Sequence, residues 1–296
     1  IVLRKFFSMK ELFLRSFEQY SILWIVLSAG IGGIIGGWSK FLFEQMLPAQ
    51  MKMRMEARQA FKKYRYPIIR AADALDRRLQ NFVQFVDRKW YDDVRDSYYC
   101  ISTLYLMGAY FGWCKILEDE SFIELLHSDN RAKKHTIMLN TVYKGLTGFD
   151  YFARNPDIPT AAVEAVEVPR LAITAIGELM VKRTAENGKE AKTSVLGFVE
   201  FVNAYNSSPD FQKWFGYLDN LFAGMKPGRN EAQWNRLLVF AINLRTLITF
   251  LDPEGRHTAP RIIHYHLEEM HPEVWHSVRK KMDDRKIKYT LAEPKI

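Results

Sequence analysis

The sequence predicts an all-α fold: a single N-terminal transmembrane helix followed by a helical-bundle domain. Three observations predict it. Residues 19–39, QYSILWIVLSAGIGGIIGGWS, carry no charge. Downstream, apolar residues recur at three and four positions almost everywhere, which is the helical period. No Val/Ile/Thr-rich alternating run bounded by hairpin turn signals stands out. Hydrophobic residues make up 48% of the 296, a globular rather than a disordered composition. Four regions follow: an amphipathic basic segment 1–18, an anchor 19–43, a helical bundle 50–256, and a C-terminal helical extension with a basic tail, 257–296.

The N-terminal segment places Leu3, Phe6, Phe7, Phe13, Leu14 and Phe17 at three- and four-residue spacing, with Arg4, Lys5, Glu11 and Arg15 elsewhere around the wheel. That pattern suits a helix lying in a membrane interface. Next, the uncharged run reaches about 30 Å as a helix, the thickness of a bilayer's hydrocarbon core. It continues past any plausible small-residue cleavage site, so an uncleaved anchor is expected. Ser28, Gly32 and Gly36 recur every four residues with Gly33 and Gly37 beside them, a spacing that lets two membrane helices approach closely and form a homodimer. Gly is also common in membrane helices for other reasons.

Charge placement matters more than the net +8. Residues 1–65 hold eleven Lys/Arg and four Asp/Glu, net +7, whereas residues 66–296 hold 31 and 30, net +1. The basicity therefore flanks the anchor, where Lys52, Arg54, Arg58, Lys62, Lys63 and Arg65 would meet anionic lipid headgroups at about 1 kcal/mol each. A nucleic-acid binder carries its positive face on the folded domain, so this distribution argues against that class. Four Lys/Arg lie within twenty residues of each end of the anchor, which leaves the positive-inside rule balanced. Lys62, Lys63 and Arg65 tip it toward a cytoplasmic body. Cys100 and Cys114, fourteen positions apart on one predicted helix, would be about 21 Å apart and beyond disulfide reach, which fits a reducing compartment. The implied location is the cell inner membrane, single-pass.

Within the body, a long helix is expected from about Met51 to Asp87. Its second half sets Ile68, Ala72, Leu75, Leu79, Phe82 and Val86 at 4-3-4-3-4 spacing, a core-facing stripe too short for a coiled coil. Pro67 predicts a kink or joint. Arg70, Asp73, Asp76 and Arg77 beside this stripe must pair if buried, and read as an ion-pair network. Residues 97–114, SYYCISTLYLMGAYFGWC, are uncharged and just long enough to span. Four tyrosines, Ser102 and Thr103 make a buried core helix the better reading. Helices are expected near 168–186, 193–205, 209–223 and 230–251. Asn187-Gly188, Ser207-Ser208-Pro209 and Lys226-Pro227-Gly228 separate them, and Ser208 is the natural N-cap before Pro209. A helical pair near 259–270 and 273–286 completes the chain.

Several of these stretches together carry a resemblance. They are YRYPIIRAADALDRRLQNFV (64–83), STLYLMGAYFGWCKIL (102–117), RLAITAIGELM (170–180), GFVEF (197–201), FQKWFGYL (211–218) and LRTLITFLDP (244–253). Over roughly residues 63–255 the chain resembles a family of bacterial membrane-anchored proteins with one N-terminal transmembrane helix and an all-helical body. The resemblance implies the architecture and carries no chemistry.

Candidate chemistry is sparse. His257, His264, His266, Glu268, Glu269, His271 and His276 form the densest set of ligand-type side chains. On a helix, His264 and Glu268 could share a metal ion given ligands from elsewhere, although a polar helix edge explains the set without one. Arg170, Thr174, Glu178 and Lys182 recur every four residues. They read either as an exposed face with a Glu178–Lys182 pair or, through Arg170, Thr174 and Glu178, as the polar wall of a pocket, where Gly177 admits a close neighbour. There is no P-loop, nucleophile elbow, H-E-x-x-H or C-x-x-C signature, and no cofactor is implied. The sequence therefore favours a cytoplasmic protein-interaction or scaffolding module over a membrane-bound enzyme or ligand sensor with a pocket between helices.

Overall fold

The computed structural model describes residues 21–41, 44, 46–85, 97–120, 130–153, 155, 157–184, 192–258 and 270–284. The chain divides into two compact units, Ile1–Met55 and Glu56–Ile296.

In the first unit, α1 spans Ser21–Phe41. Lys40 in its last turn complements the negative end of the helix dipole. Its second half lies open: Ile34 is 67% exposed and Trp38 68%, with Ile31, Ile35 and Phe41 more than half exposed. A Cβ added at Gly32, Gly33, Gly36 or Gly37 would meet nothing within 4 Å. Ser28 lies in the same helix.

Helix α2, Leu47–Gln84, carries the chain into the second unit and runs unbroken through Pro67, where the sequence predicts a kink or joint. Proline lacks the N–H that would bond to the Lys63 carbonyl. The buried row Tyr64, Ile68, Ala72, Leu75, Leu79 and Phe82 flanks that gap and holds the helix to the core. The last residue of the predicted stripe, Val86, lies outside the described residues.

Helix α3, Tyr98–Glu120, is the described helix long and apolar enough to cross a membrane by length and composition. Yet 72% of its apolar window is buried inside the body, so it is a core helix here. Glycines let its neighbours in. A Cβ on Gly108 would lie 2.8 Å from the Phe215 ring, and one on Gly112 would lie 3.0 Å from the Met180 Cβ.

Helix α4, Asn130–Thr147, packs on the later helix α9, Ala232–Leu251. A Cβ on Gly145 would sit 2.9 Å from the Phe240 Cα, so the two backbones nearly touch. Every α9 residue except Gln233, Thr249 and Phe250 is buried. A helix enclosed on all sides is the centre of a bundle. Its one fully buried cation, Arg236, closes the end of α4. Its Nη1 donates to the Leu146 carbonyl at 2.5 Å and its Nη2 to the Val163 carbonyl at 3.1 Å. Burial lowers its pKa to about 10.

Two short elements follow α4: α5, Thr160–Ala165, and α6, Arg170–Met180. Each begins after a proline, Pro159 and Pro169, whose fixed φ suits entry into a helix.

The all-α expectation holds for most of the chain but needs one correction. The predicted helix 168–186 stops at Met180, and the start of the predicted helix 193–205 is also extended. Strand β1, Val181–Thr184, pairs antiparallel with β2, Lys192–Val195, with Val181 opposite Val195. The chain turns extended at Val181, with φ −82° and ψ 127°. Valine and threonine in VKRT and KTSV favour that pleated geometry. Asn187-Gly188 lies between the strands in sequence, and this dipeptide is a hairpin signal as well as a helix separator. Val195 packs against Gly112, 3.1 Å from its added Cβ.

Helix α7, Phe198–Ser207, is capped by Glu200, whose carboxylate accepts from the Gly197 N–H at 2.8 Å. Helix α8, Pro209–Phe222, has Ser208 at its N-cap position and Pro209 first, as expected, but the Ser208 side chain makes no cap hydrogen bond. After α9, Asp252 gathers the loop: the Arg256 and His257 N–H groups and the Thr258 hydroxyl donate to its carboxylate. Gly255 turns that loop with φ +66°, which favours glycine. Helix α10, Pro272–Asp284, buries Val274, Trp275, Val278 and Met282 in the same core cluster as α2–α9.

Candidate functional site

The residues of the predicted pocket wall sit on α6, which packs on α3. Arg170 opens α6 and is exposed. Its guanidinium lies 3.9 Å from the centroid of the Tyr143 ring and donates to Asn140 Oδ1 at 3.3 Å. The Thr174 hydroxyl donates back to the Arg170 carbonyl at 3.3 Å, inside its own helix. Glu178 is exposed and stands 3.5 Å from Lys115. The expected Glu178–Lys182 pair is replaced, because Lys182 is on β1 and bonds Glu200 at 2.6 Å. Gly177 does admit a close neighbour: its added Cβ would be 3.0 Å from the Phe111 carbonyl oxygen on α3.

Arg170 instead belongs to a constellation that spacing alone does not reveal. Tyr110, Cys114 and Glu118 form a polar i, i+4, i+8 stripe on α3. Tyr143 comes from α4. Tyr110 and Cys114 are wholly buried, and Tyr143 is 4% exposed. The Tyr110 hydroxyl makes no hydrogen bond of good geometry.

Burial pushes the Cys114 thiol up to about 12, and the neighbouring Glu118 carboxylate adds to that. Desolvation raises both tyrosines well above the usual phenol range. Desolvation also raises the Glu118 carboxyl, against the pull of Arg170 and Lys115. The two phenols and the thiol thus hold their protons at neutral pH. The thiol is no nucleophile there. What Tyr110, Cys114 and Tyr143 offer is neutral hydrogen-bonding groups, with Glu118 and the Arg170 guanidinium beside them.

The metal candidates His264 and Glu268 lie outside the described residues. Among the described residues, no group of three or more His, Cys, Asp or Glu is gathered to hold an ion. His271 is buried and fully engaged. Its N–H donates to Asn235 Oδ1 at 2.8 Å, its Nδ1 accepts from the Glu273 N–H, and its Nε2 lies 3.1 Å from Asp157 Oδ2. It fastens the start of α10 to α9.

Of the charges predicted to form a network on α2, Asp73 and Asp76 are paired and Arg70 is exposed. Asp76 meets Arg245 of α9 at 2.7 Å, and Gln80 donates to the same carboxylate oxygen. Asp73 pairs with Arg77 at 2.7 Å. Of the basic residues after the anchor, Lys63 lies 3.4 Å from Glu120 and Arg65 donates to the Leu251 carbonyl, capping α9. Lys52 and Lys62 are exposed, and Arg54 and Arg58 lie on the same helix.

Comparison of the chain with known protein families, with curated proteins and with solved structures finds no match.

Proposed function

We propose that this chain is a membrane-tethered helical domain that works as a protein-interaction or scaffolding module. Its α1 helix is the single span in the cell inner membrane, and its body faces the cytoplasm. The observation that carries the reading is α1: twenty-one helical residues, uncharged up to Lys40, with Ile31, Ile34, Ile35 and Trp38 open on its second half. In water such a surface is a liability, and in hydrocarbon it is the natural state. The net +7 of residues 1–65 suits anionic headgroups on the flanks. The small-residue face of Ser28, Gly32 and Gly36 suits a second copy of the same helix. A tether raises the concentration of the body at the bilayer, which is what a recruiting module requires. The family resemblance implies the same bacterial, membrane-anchored setting.

Two measurements test this. Carbonate extraction of membranes should leave the chain in the pellet, and release into the supernatant removes the tether. Affinity capture of the detergent-solubilised chain after crosslinking should return a stoichiometric partner. Recovery of the chain alone would sink the scaffold reading.

One observation favours a second reading, a membrane-bound ligand sensor or enzyme. The Tyr110, Cys114, Glu118, Tyr143 and Arg170 cluster places an unbonded hydroxyl and a desolvated carboxyl beside a cation. A thermal-shift screen of small polar metabolites tests it: a hit abolished by Arg170→Ala or Tyr110→Phe supports the sensor, and a flat screen removes it.

A further inference from the structure

Helix α2 has two faces. The inner one buries Tyr64, Ile68, Ala72 and Leu75. The outer one presents Lys62, Tyr66 and Arg70 at four-residue spacing, in line along the helix. Tyr66 is 49% exposed, although it is an aromatic residue among buried ones. The Arg70 guanidinium lies 5.8 Å from its ring centroid. The Tyr66 ring also meets His257 edge-on at 5.3 Å. His257 belongs to the loop that Asp252 gathers, and its neighbour Arg256 is exposed as well.

The acidic groups nearby are mostly spent. Asp252 is occupied by its own loop, Glu120 by Lys63 and Tyr64, and Asp73 by Arg77. Among the described residues, Glu254 pairs with Arg256 and opposes the charge of the patch. An exposed tyrosine framed by cations is interfacial chemistry: the ring settles at headgroup depth and the cations meet lipid phosphates. A nucleic-acid face would need more charge than the net +1 of residues 66–296 provides.

We propose that Lys62, Tyr66 and Arg70 of α2, with Arg256 and His257, form a second membrane contact that docks the body on an anionic lipid surface. This rests on the tether reading for its setting but not for its chemistry.

The test uses the full chain with Gln59→Cys, labelled with an environment-sensitive fluorophore. Cys100 and Cys114 are buried, so the label goes to the new thiol. The labelled chain is reconstituted into vesicles of phosphatidylcholine alone or mixed with phosphatidylserine. A blue shift confined to the phosphatidylserine vesicles and reversed by high salt is expected. Arg70→Glu with Arg256→Glu should abolish it. Lys62→Glu, a single exposed change, should weaken it if the double variant fails to fold. Equal emission in both vesicle types, or a shift unchanged by these variants, overturns the proposal. So does the same shift on adding inorganic phosphate to the detergent-solubilised chain, which would assign the patch to a soluble anion. Release by carbonate with the lipid-dependent shift intact would overturn the tether and leave the surface contact standing.

Discussion

Asp76 and Arg245, 169 positions apart in the chain, form an ion pair at 2.7 Å with side chains 0% and 5% exposed. It joins α2 to the central helix α9. Removing one partner strands a charge in a dry core. Asp76→Ala should therefore cost about 3–5 kcal/mol of stability. A paired Asp76→Leu/Arg245→Met replacement should recover most of that loss. Urea denaturation of the wild type and the two variants measures both outcomes.

His135 on α4 packs edge-on against Phe61 and is 2% exposed, and burial holds its pKa down at about 4. The ordinary value is 6.5. Between those two values the unfolded chain takes up a proton that the folded chain refuses. Stability from this site is full above pH 6.5 and is lost as the pH falls toward 4, by on the order of 3 kcal/mol. The urea midpoint of the wild type should drop across this window. In His135→Gln the part of the drop due to this group should vanish.

The glycines make a matched pair. Gly145→Ala drives a methyl against the Phe240 backbone and should destabilise by roughly 1–3 kcal/mol. Gly216, inside α8, has open space where a Cβ would go. Gly216→Ala should stabilise by about 0.5–1 kcal/mol. Thermal melts of both variants would show shifts of opposite sign, and a loss at Gly216 would contradict the open geometry.

Cys114 should be silent toward thiol reagents in the folded chain, because burial removes access and keeps the sulfur protonated. Labelling at neutral pH should follow the opening of the body and accelerate with urea. Fast reaction in native buffer would mean that the α3 core is open.

The helices were legible wherever one residue pattern served one purpose. In α9, apolar residues at helical spacing announced a helix near 230–251, though not its place at the centre. In α2, the 3–4 row from Ile68 to Phe82 announced a buried face. The α3 run was correctly separated from a span by its tyrosines. The hairpin was hidden because the apolar spacing of α6 leads smoothly into Val181, and four-residue strands are too short to alternate visibly. Partners were hidden by distance. Asp73 and Asp76 pointed to a network, yet nothing in sequence tied Asp76 to Arg245 or Arg236 to the end of α4. The polar stripe of Tyr110, Cys114 and Glu118 stands on one helix and could have been read. That Tyr143 and Arg170 join it is a fact of packing alone.

The buried Arg236 has a kinetic consequence. Its guanidinium serves carbonyls at Leu146, Gly148 and Val163, between 73 and 90 residues earlier in the chain. Those three hydrogen bonds cannot form until α9 has docked, so the connector between α4 and α5 orders late and opens as one piece. The amide protons of residues 148–168 should exchange with solvent together, at a rate set by the departure of a single side chain.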